Sequence, residues 1–482
     1  MKPRLALSVL LLLASCTVGP DYKRPPAPVP AAYKETGWKT ATPHEAIGRG
    51  PWWSIYNDPV LDGLEREIDI SNQNLKAAEA AYRQARAVVG EAYAGYFPTV
   101  SLGGSGTRTG QGGNVASSNF GRNTTVDLTA DATWSVDLWG RIRRTVESDV
   151  ANAQASAADI ANARLSAQAQ LAVLYFELRA ADQQERLLDS SVTAFTQSLQ
   201  ITQNQYNAGV AAQTDVVTAE TQLEQTRAQA IAVGVQRAQF EHAIATLIGK
   251  PASDFSLAAA PMTLTVPVSP PDVPSTLLER RPDIAAAERL MAAANAQIGI
   301  AIAAYYPDLT LSADYGFTGD RLAKLVEAAN RLWSVGGSLS ETVFDAGLRS
   351  AQVEAARATY DQDIANYRET VLTAFQQVED ELAALGILAR QQVVEDNTVR
   401  LAREAERLTL NQYQQGTQPY TAVITAETTR LTNEVTALGI LQSRLIASVD
   451  LVEALGGGWS ATDLPTPEEV KDKPAAPTEA KR

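Results

Sequence analysis

This chain of 482 residues says nearly everything twice, and that duplication constrains its fold more than any other feature. Asn74 to Leu102 (NLKAAEAAYRQARAVVGEAYAGYFPTVSL) returns 209 positions later as Asp283 to Leu311 (DIAAAERLMAAANAQIGIAIAAYYPDLTL), with Glu79/Glu288, Gly90/Gly299, Tyr96/Tyr305 and Pro98/Pro307 in register. Asp159-Ile160-Ala161-Asn162 returns as Asp363-Ile364-Ala365-Asn366. Tyr206-x-x-Gly209 followed by Thr218-Ala219-Glu220-Thr221 returns as Tyr413-x-x-Gly416 followed by Thr425-Ala426-Glu427-Thr428. A period near 205 residues is far too long for a solenoid, so the chain reads as two fused copies of one unit in a pseudo-symmetric assembly.

The first residues read as an export signal. Lys2 and Arg4 precede an apolar run from Leu5 to Leu13, too short to span a bilayer. Ala14-Ser15 then precede Cys16, the only cysteine, at the place where bacterial lipoprotein signals put the residue that is acylated. Residues 1–15 are expected to be removed, leaving Cys16 as a lipid anchor and no thiol for a disulfide, metal or nucleophile. Loss of Lys2 and Arg4 moves the net charge from −14 to −16, which disfavours nucleic acid as a partner.

From Thr17 to Pro51 the chain is Pro-rich and aperiodic, so residues 16–55 are expected to form an extended tether. Helices follow. No proline occurs from Thr99 to Lys250 or from Asp308 to Gln418. From Val146 to Leu199 apolar residues recur at alternating spacings of three and four, interrupted only by Arg164 and Glu185. The second copy answers with Tyr360, Ile364, Tyr367, Val371, Ala374, Val378, Leu382 and Leu385. Such a repeat means coiled-coil packing, and roughly 60 residues make a rod of about 90 Å. Glycine-containing turns at Gly209 and Gly416 end each rod, and return helices follow over Thr214–Ile248 and Thr421–Leu455.

A second periodicity bears on function. From Thr125 to Leu138 every other residue is apolar (Val126, Leu128, Ala130, Ala132, Trp134, Val136, Leu138), and Asp127, Asp131 and Asp137 lie on the opposite face. Shorter versions span Thr99–Ser105, Leu309–Thr318 and Leu332–Thr342, with Asp314 on the polar face of the third strand. Each repeat therefore holds one β-hairpin, at about 99–139 and 308–345. A soluble sandwich would need more strands than four to bury a core. Strands apolar outward and polar inward suit a membrane barrel, whose minimum is about eight strands, so several chains must share one.

These residues resemble a known family, the TolC-like outer-membrane efflux channels of Gram-negative bacteria, and most closely the lipid-anchored OprM/NodT type. The resemblance rests on Cys16-Thr17-Val18-Gly19-Pro20-Asp21-Tyr22, Trp52-Trp53 with Asp58-Pro59, Tyr96-Phe97-Pro98 and Tyr305-Tyr306-Pro307. It rests also on Asp137-Leu138-Trp139-Gly140-Arg141, Phe344-Asp345-Ala346-Gly347 and Leu455-Gly456-Gly457-Gly458-Trp459. It implies a mainly α fold with membrane β: two tandem repeats, 56–260 and 261–458, forming a trimeric α-barrel/β-barrel tunnel. It further implies a homotrimer in outer-membrane lipid that serves a periplasmic adaptor and an inner-membrane RND pump, as a passive conduit for drugs or other small toxic compounds.

On this reading Asp127, Asp131, Asp137 and Asp314 face the lumen, either favouring cations or only solvating a wide pore. The resemblance places a gate and the adaptor contacts at the helical tips, around Gly209, Asp215, Glu220, Gly416, Thr425 and Glu427. Thr425 stands where OprM-like members often have Asp, and Glu220 and Glu427 also fit as solvated or paired helix residues. No catalytic constellation is visible: His44 and His242 are isolated, and Gly103-Gly104-Ser105-Gly106 lacks the Lys-Ser/Thr of a phosphate loop. No enzyme activity, cofactor or metal is therefore expected. Two other readings remain: a channel for protein secretion, and a coiled-coil lipoprotein that spaces the envelope without conducting. Residues 459–482 read as a disordered tail.

Overall fold

The computed structural model describes residues 17–30, 34, 51–110, 123–267 and 280–471. The export signal, Cys16, His44, the first hairpin's loop and the tail beyond residue 471 lie outside these. Two short helices open the first repeat. Asp58 caps α1 (Pro59–Ser71) by accepting from the backbone N–H groups of Val60 and Leu61, with proline at the first helical position. Asn72 caps α2 (Gln73–Ala94) by accepting from Leu75. The hairpin β1 (Thr99–Thr109) and β2 (Asn123–Val136) leads into the rod α3 (Arg141–Asn207) and the return helix α4 (Gln213–Leu247).

The second repeat copies this plan: α5 (Pro282–Ala303), β3 (Asp308–Gly319), β4 (Arg331–Ser340), α6 (Leu348–Gln414) and α7 (Tyr420–Ala454). α3 and α6 each have 67 residues and α4 and α7 each have 35. At 1.5 Å per residue the rods reach about 100 Å. Left-handed glycines punctuate both copies at equivalent places: Gly140 and Gly347 before the rods, Gly209 and Gly416 after them, and Gly249 and Gly456 after the return helices.

The four strands form one antiparallel sheet in the order β1-β2-β3-β4. The two hairpins join through β2 and β3, which pair from Val126 with Gly319 to Val136 with Leu309. Apolar residues meet across the sheet: Leu102 lies opposite Ala130, which lies opposite Tyr315, which lies opposite Trp333. Below the sheet the core is wrapped around the rods. The middle of α3 packs Leu171, Tyr175, Phe176 and Leu178 against Trp52, Leu61, Ile68, Ile244 and Val449. α6 packs Tyr367, Val371, Val378 and Leu382 against Ile284, Met291 and Leu451.

Two expectations at the ends of the chain need correction. Trp52–Ile55, read as the end of the tether, joins Tyr56 in a 3-10 turn with both tryptophans and Tyr56 buried, because the three rings fill a hollow beside Phe176. The first part of the supposed disordered tail is folded. Ser460 and Asp463 form a reciprocal cap. Thr466 and Glu469 form another, opening α8 (Pro467–Lys471). Its Val470 is 2% exposed and seals a cluster with Val89, Val146, Val150 and Ala153.

The segment just after Cys16 is a strap. The Val18 N–H donates to the Trp139 carbonyl, Asp21 pairs with Arg144 at 2.9 Å, and the Tyr22 hydroxyl donates to Glu288 at 2.6 Å. Arg24 donates to the Tyr367 hydroxyl. The strap thus ties the start of α3 to α5 and α6. A β-carbon on Gly19 would collide with the Gly299 backbone, and one on Gly299 would press on the Arg144 side chain. Gly90, the copy of Gly299 in the first repeat, has open space around it.

Candidate functional site

Two regions carry the functional residues named above, the sheet and the helical tips about 100 Å away. On the sheet's polar face, Asp127 accepts from Ser105 at 3.1 Å and from Thr318 at 2.6 Å. Asp314 accepts from Ser334 at 2.6 Å, and Asp131 from Thr129 at 3.1 Å. The register sets Asp131 directly opposite Asp314, flanked by Ser101 and Ser334. Like charges directly opposite are normally disfavoured in a sheet, so such a pair belongs on a well-hydrated face.

Asp137 does not join them. β2 ends at Val136, and the Asp137 carboxylate accepts from the backbone N–H groups of Ile142 at 3.0 Å and Arg143 at 2.9 Å. It caps the N-terminus of α3, where the helix dipole favours a negative charge. The alternation was read two residues too far.

At the tips, Gly209 (φ 75°) and Gly416 (φ 72°) occupy equivalent left-handed positions, as the repeat predicts. Asp215 accepts from the Ala212 N–H at 3.4 Å, completing half of a helix cap. Glu220 is exposed, and so is Thr425, whose hydroxyl donates to the Thr421 carbonyl at 2.9 Å. Glu427 is different. It is 1% exposed, and one carboxylate oxygen accepts from Ser198 on α3 at 2.6 Å while the other has no partner. Burial pushes this carboxyl up to about 7, with Glu406 adding to the effect and Ser198 and Arg430 opposing it.

The structure therefore separates the four tip side chains: Asp215, Glu220 and Thr425 lie at or near the surface, and Glu427 lies inside an inter-helix seam. It also brings in residues that sequence reasoning missed. Arg430 of α7 pairs with Glu406 of α6 at 2.6 Å and donates to Ser191 of α3 at 3.2 Å. Arg403 of α6 donates to Glu434 of α7 at 2.7 Å. Tyr413 donates to Thr202 at 3.0 Å, and its ring lies 5.3 Å from that of Tyr420. Three helices are thus stitched together just inside the tips. For Arg403, Glu406, Arg430 and Glu434 the only signal in the sequence was charge within long helices, and Tyr413 stood out only as a landmark of the repeat.

Among the described residues, no group of three or more His, Cys, Asp or Glu is arranged to hold a metal ion. The arrangement offers a hydrated acidic face at one end of long rods and a polar stitch at the other. The sequence pattern described as outer membrane efflux protein matches this chain twice, over residues 66–250 and 273–457. The chain belongs to that family. The double match coincides with the two repeats.

The pyoverdine export outer membrane protein OpmQ of Pseudomonas aeruginosa is 30% identical over 471 residues, covering 96% of this chain and 98% of the relative. The antibiotic efflux pump outer membrane protein ArpC of Pseudomonas putida is 28% identical over 480 residues, covering 95% and 96%. The solved outer-membrane channel OprN is 31% identical, superposes with a TM-score of 0.84 and covers 92% of this chain and all of its own. This efflux protein is an outer-membrane channel of a Gram-negative bacterium, serving as the outer-membrane component of an efflux pump. The strands cross that membrane, and the rods extend from it into the periplasm.

Proposed function

We propose that three copies of this chain close one twelve-stranded barrel and one helical tunnel, anchored by acyl chains on Cys16, through which small toxic compounds pass without covalent chemistry. The observation that carries this reading is the sheet itself. Four strands with one continuous apolar face and two unpaired edges, β1 and β4, cannot stand in lipid alone. Three copies supply more than the practical minimum for closure, with β4 of one chain beside β1 of the next. The strap supports the anchor, because Val18 is tied to Trp139 at the junction between sheet and rods, the level of the membrane surface.

On this reading Asp127, Asp131 and Asp314 line the lumen and favour cations over anions. The tips meet a periplasmic adaptor, and the adaptor joins the tunnel to an inner-membrane RND pump. OpmQ and ArpC are named for pyoverdine and antibiotics, cargoes with little chemistry in common. A wide, polar, passive lumen suits such variety, with selection made elsewhere in the pump. Planar-bilayer recordings under an ion gradient test the proposal: discrete openings with a cation-selective reversal potential are expected, shifted toward zero in Asp131→Asn/Asp314→Asn. A silent, monomeric protein lacking heat-modifiable β-structure would overturn it.

A further inference from the structure

The lipid-facing side of the sheet runs about 27 Å from Leu309 to Phe317, close to the height of an outer-membrane apolar band. Side chains of directly paired residues in an antiparallel sheet share a face, so the whole face can be read from the register. It carries no acidic residue, and its only charged residues are two arginines. Arg331 of β4 lies opposite Phe317, which lies opposite Leu128. Arg108 of β1 lies opposite Thr124, two residues from Val126 on the same face.

Both arginines stand at the end of the sheet away from the rods, which for this channel is the external end. Both are exposed, and neither has an ion-pair or hydrogen-bond partner among the described residues. The opposite end of this face, at Val100, Val136, Leu309 and Leu339, has no counterpart to them. They also sit on the two edge strands. In the closed trimer those strands adjoin across each seam between chains.

We propose that Arg108 of one chain and Arg331 of the next form a binding site, at the outer rim of each seam, for the phosphate groups of an anionic lipid in the outer leaflet. The inference rests on the trimeric reading above. A guanidinium at the end of an apolar band sits at headgroup depth, and its planar fork matches phosphate oxygens in a way that a lysine does not. Acyl chains of the same lipid would lie against Leu102, Val335 and Trp333, which are 78%, 76% and 70% exposed in the single chain. One lipid then covers the seam where two chains meet.

Native mass spectrometry of the full-length protein tests this, with bis-phosphorylated lipid A as the probe and both phosphatidylethanolamine and lipid A stripped of its phosphates as controls. Wild-type trimers should retain up to three lipid A molecules. Arg108→Gln/Arg331→Gln trimers should retain at least tenfold less, with the two controls held weakly by both proteins. Equal retention by wild type and variant, or equal retention of the stripped lipid, would overturn the site and leave the trimer standing. Monomers alone in every spectrum would instead overturn the assembly on which the site depends.

Discussion

The two rods match residue for residue in length, yet one is covered and the other is bare. On α6, Ile387, Val394, Leu401 and Leu408 recur every seven residues and are 46–66% exposed. Their copies on α3, 207 positions earlier, are Ala180, Leu187, Ala194 and Ile201, all buried or partly buried. At two of these positions α7 shares in the cover, contributing Leu431 and Val435 to the cluster of Leu187, and Val423 and Ile424 to that of Ile201. The return helices show the mirror image: Val217 and Ile231 of α4 are 53% and 78% exposed, while their copies Ile424 and Leu438 of α7 are partly buried. The first rod borrows the return helix of the second repeat. Pseudo-symmetry then requires the second rod to borrow the return helix of the first repeat, and within one chain it does not. In the proposed trimer, α4 of a neighbouring chain would supply the missing partner.

The largest effect should come from breaking that borrowed seam. Each bare Ile, Val or Leu represents roughly 1.5–3 kcal/mol when fully buried, and the seam repeats three times in the trimer. Val394→Asp/Leu401→Asp should convert trimers to folded monomers, seen as a change of mass in native mass spectrometry with helicity retained. Leu187→Asp, at the copy of Val394, should instead lower the thermal stability of the chain itself. Paired cysteines separate the two seams: Val217→Cys and Leu408→Cys, copies of Ile424 and Ile201, should cross-link between chains and not within one.

A smaller effect separates glycines that share a backbone conformation. Gly456 has φ 91°, and a β-carbon there would overlap the Arg280 carbonyl; Gly416 has φ 72° and open space around it. Gly456→Ala should therefore cost more than about 4 kcal/mol, combining left-handed strain with a backbone collision. Gly416→Ala should cost only the strain, roughly 1–2 kcal/mol. Thermal unfolding of the two variants in one detergent gives the ranking directly, and equal shifts would remove the collision from the argument.

The duplication explains why so much of this fold was legible. A seam of 3/4 spacing, a turn glycine and a period-two strand each appear twice, so a local ambiguity in one copy is resolved by the other. Where the copies diverge, legibility fails. Asp137 keeps the parity of the strand, but its copy is Phe344, so the repeat gave no support to a strand position; an Asp just before Gly140 and a long helix was the signal of a cap. The Thr466-Pro467-Glu468-Glu469 run is likewise a helix start that a Pro-rich, charged composition concealed. The stitch of Arg430, Glu406 and Glu434 was invisible for another reason. It depends on which faces of three helices meet, and spacing within one helix carries no such information.

The same divergence separates the two glutamates of the repeated Thr-Ala-Glu-Thr. Glu220 is exposed, and Glu427 is buried against Ser198 with one oxygen unpartnered. Burial raises the Glu427 carboxyl from its ordinary value of 4.5 to about 7. Well below pH 4.5 the group is neutral in both folded and unfolded chains, and its ionisation costs the fold nothing. As pH rises from there the unfolded chain releases the proton first, so the folded state loses stability until about pH 7, beyond which the penalty is constant. Glu427→Gln keeps the acceptor for Ser198 and removes the charge. Its melting temperature relative to wild type should climb between pH 4.5 and 7 and then level off, a gain of at most about 3 kcal/mol. Any offset from the new amide is the same at every pH and does not alter the slope. Glu220→Gln, a change at an exposed position, serves as the control. A flat difference for Glu427→Gln would mean that water reaches this carboxylate and that α3 and α7 are not sealed at the tip; a slope shared by both variants would place the titrating group elsewhere.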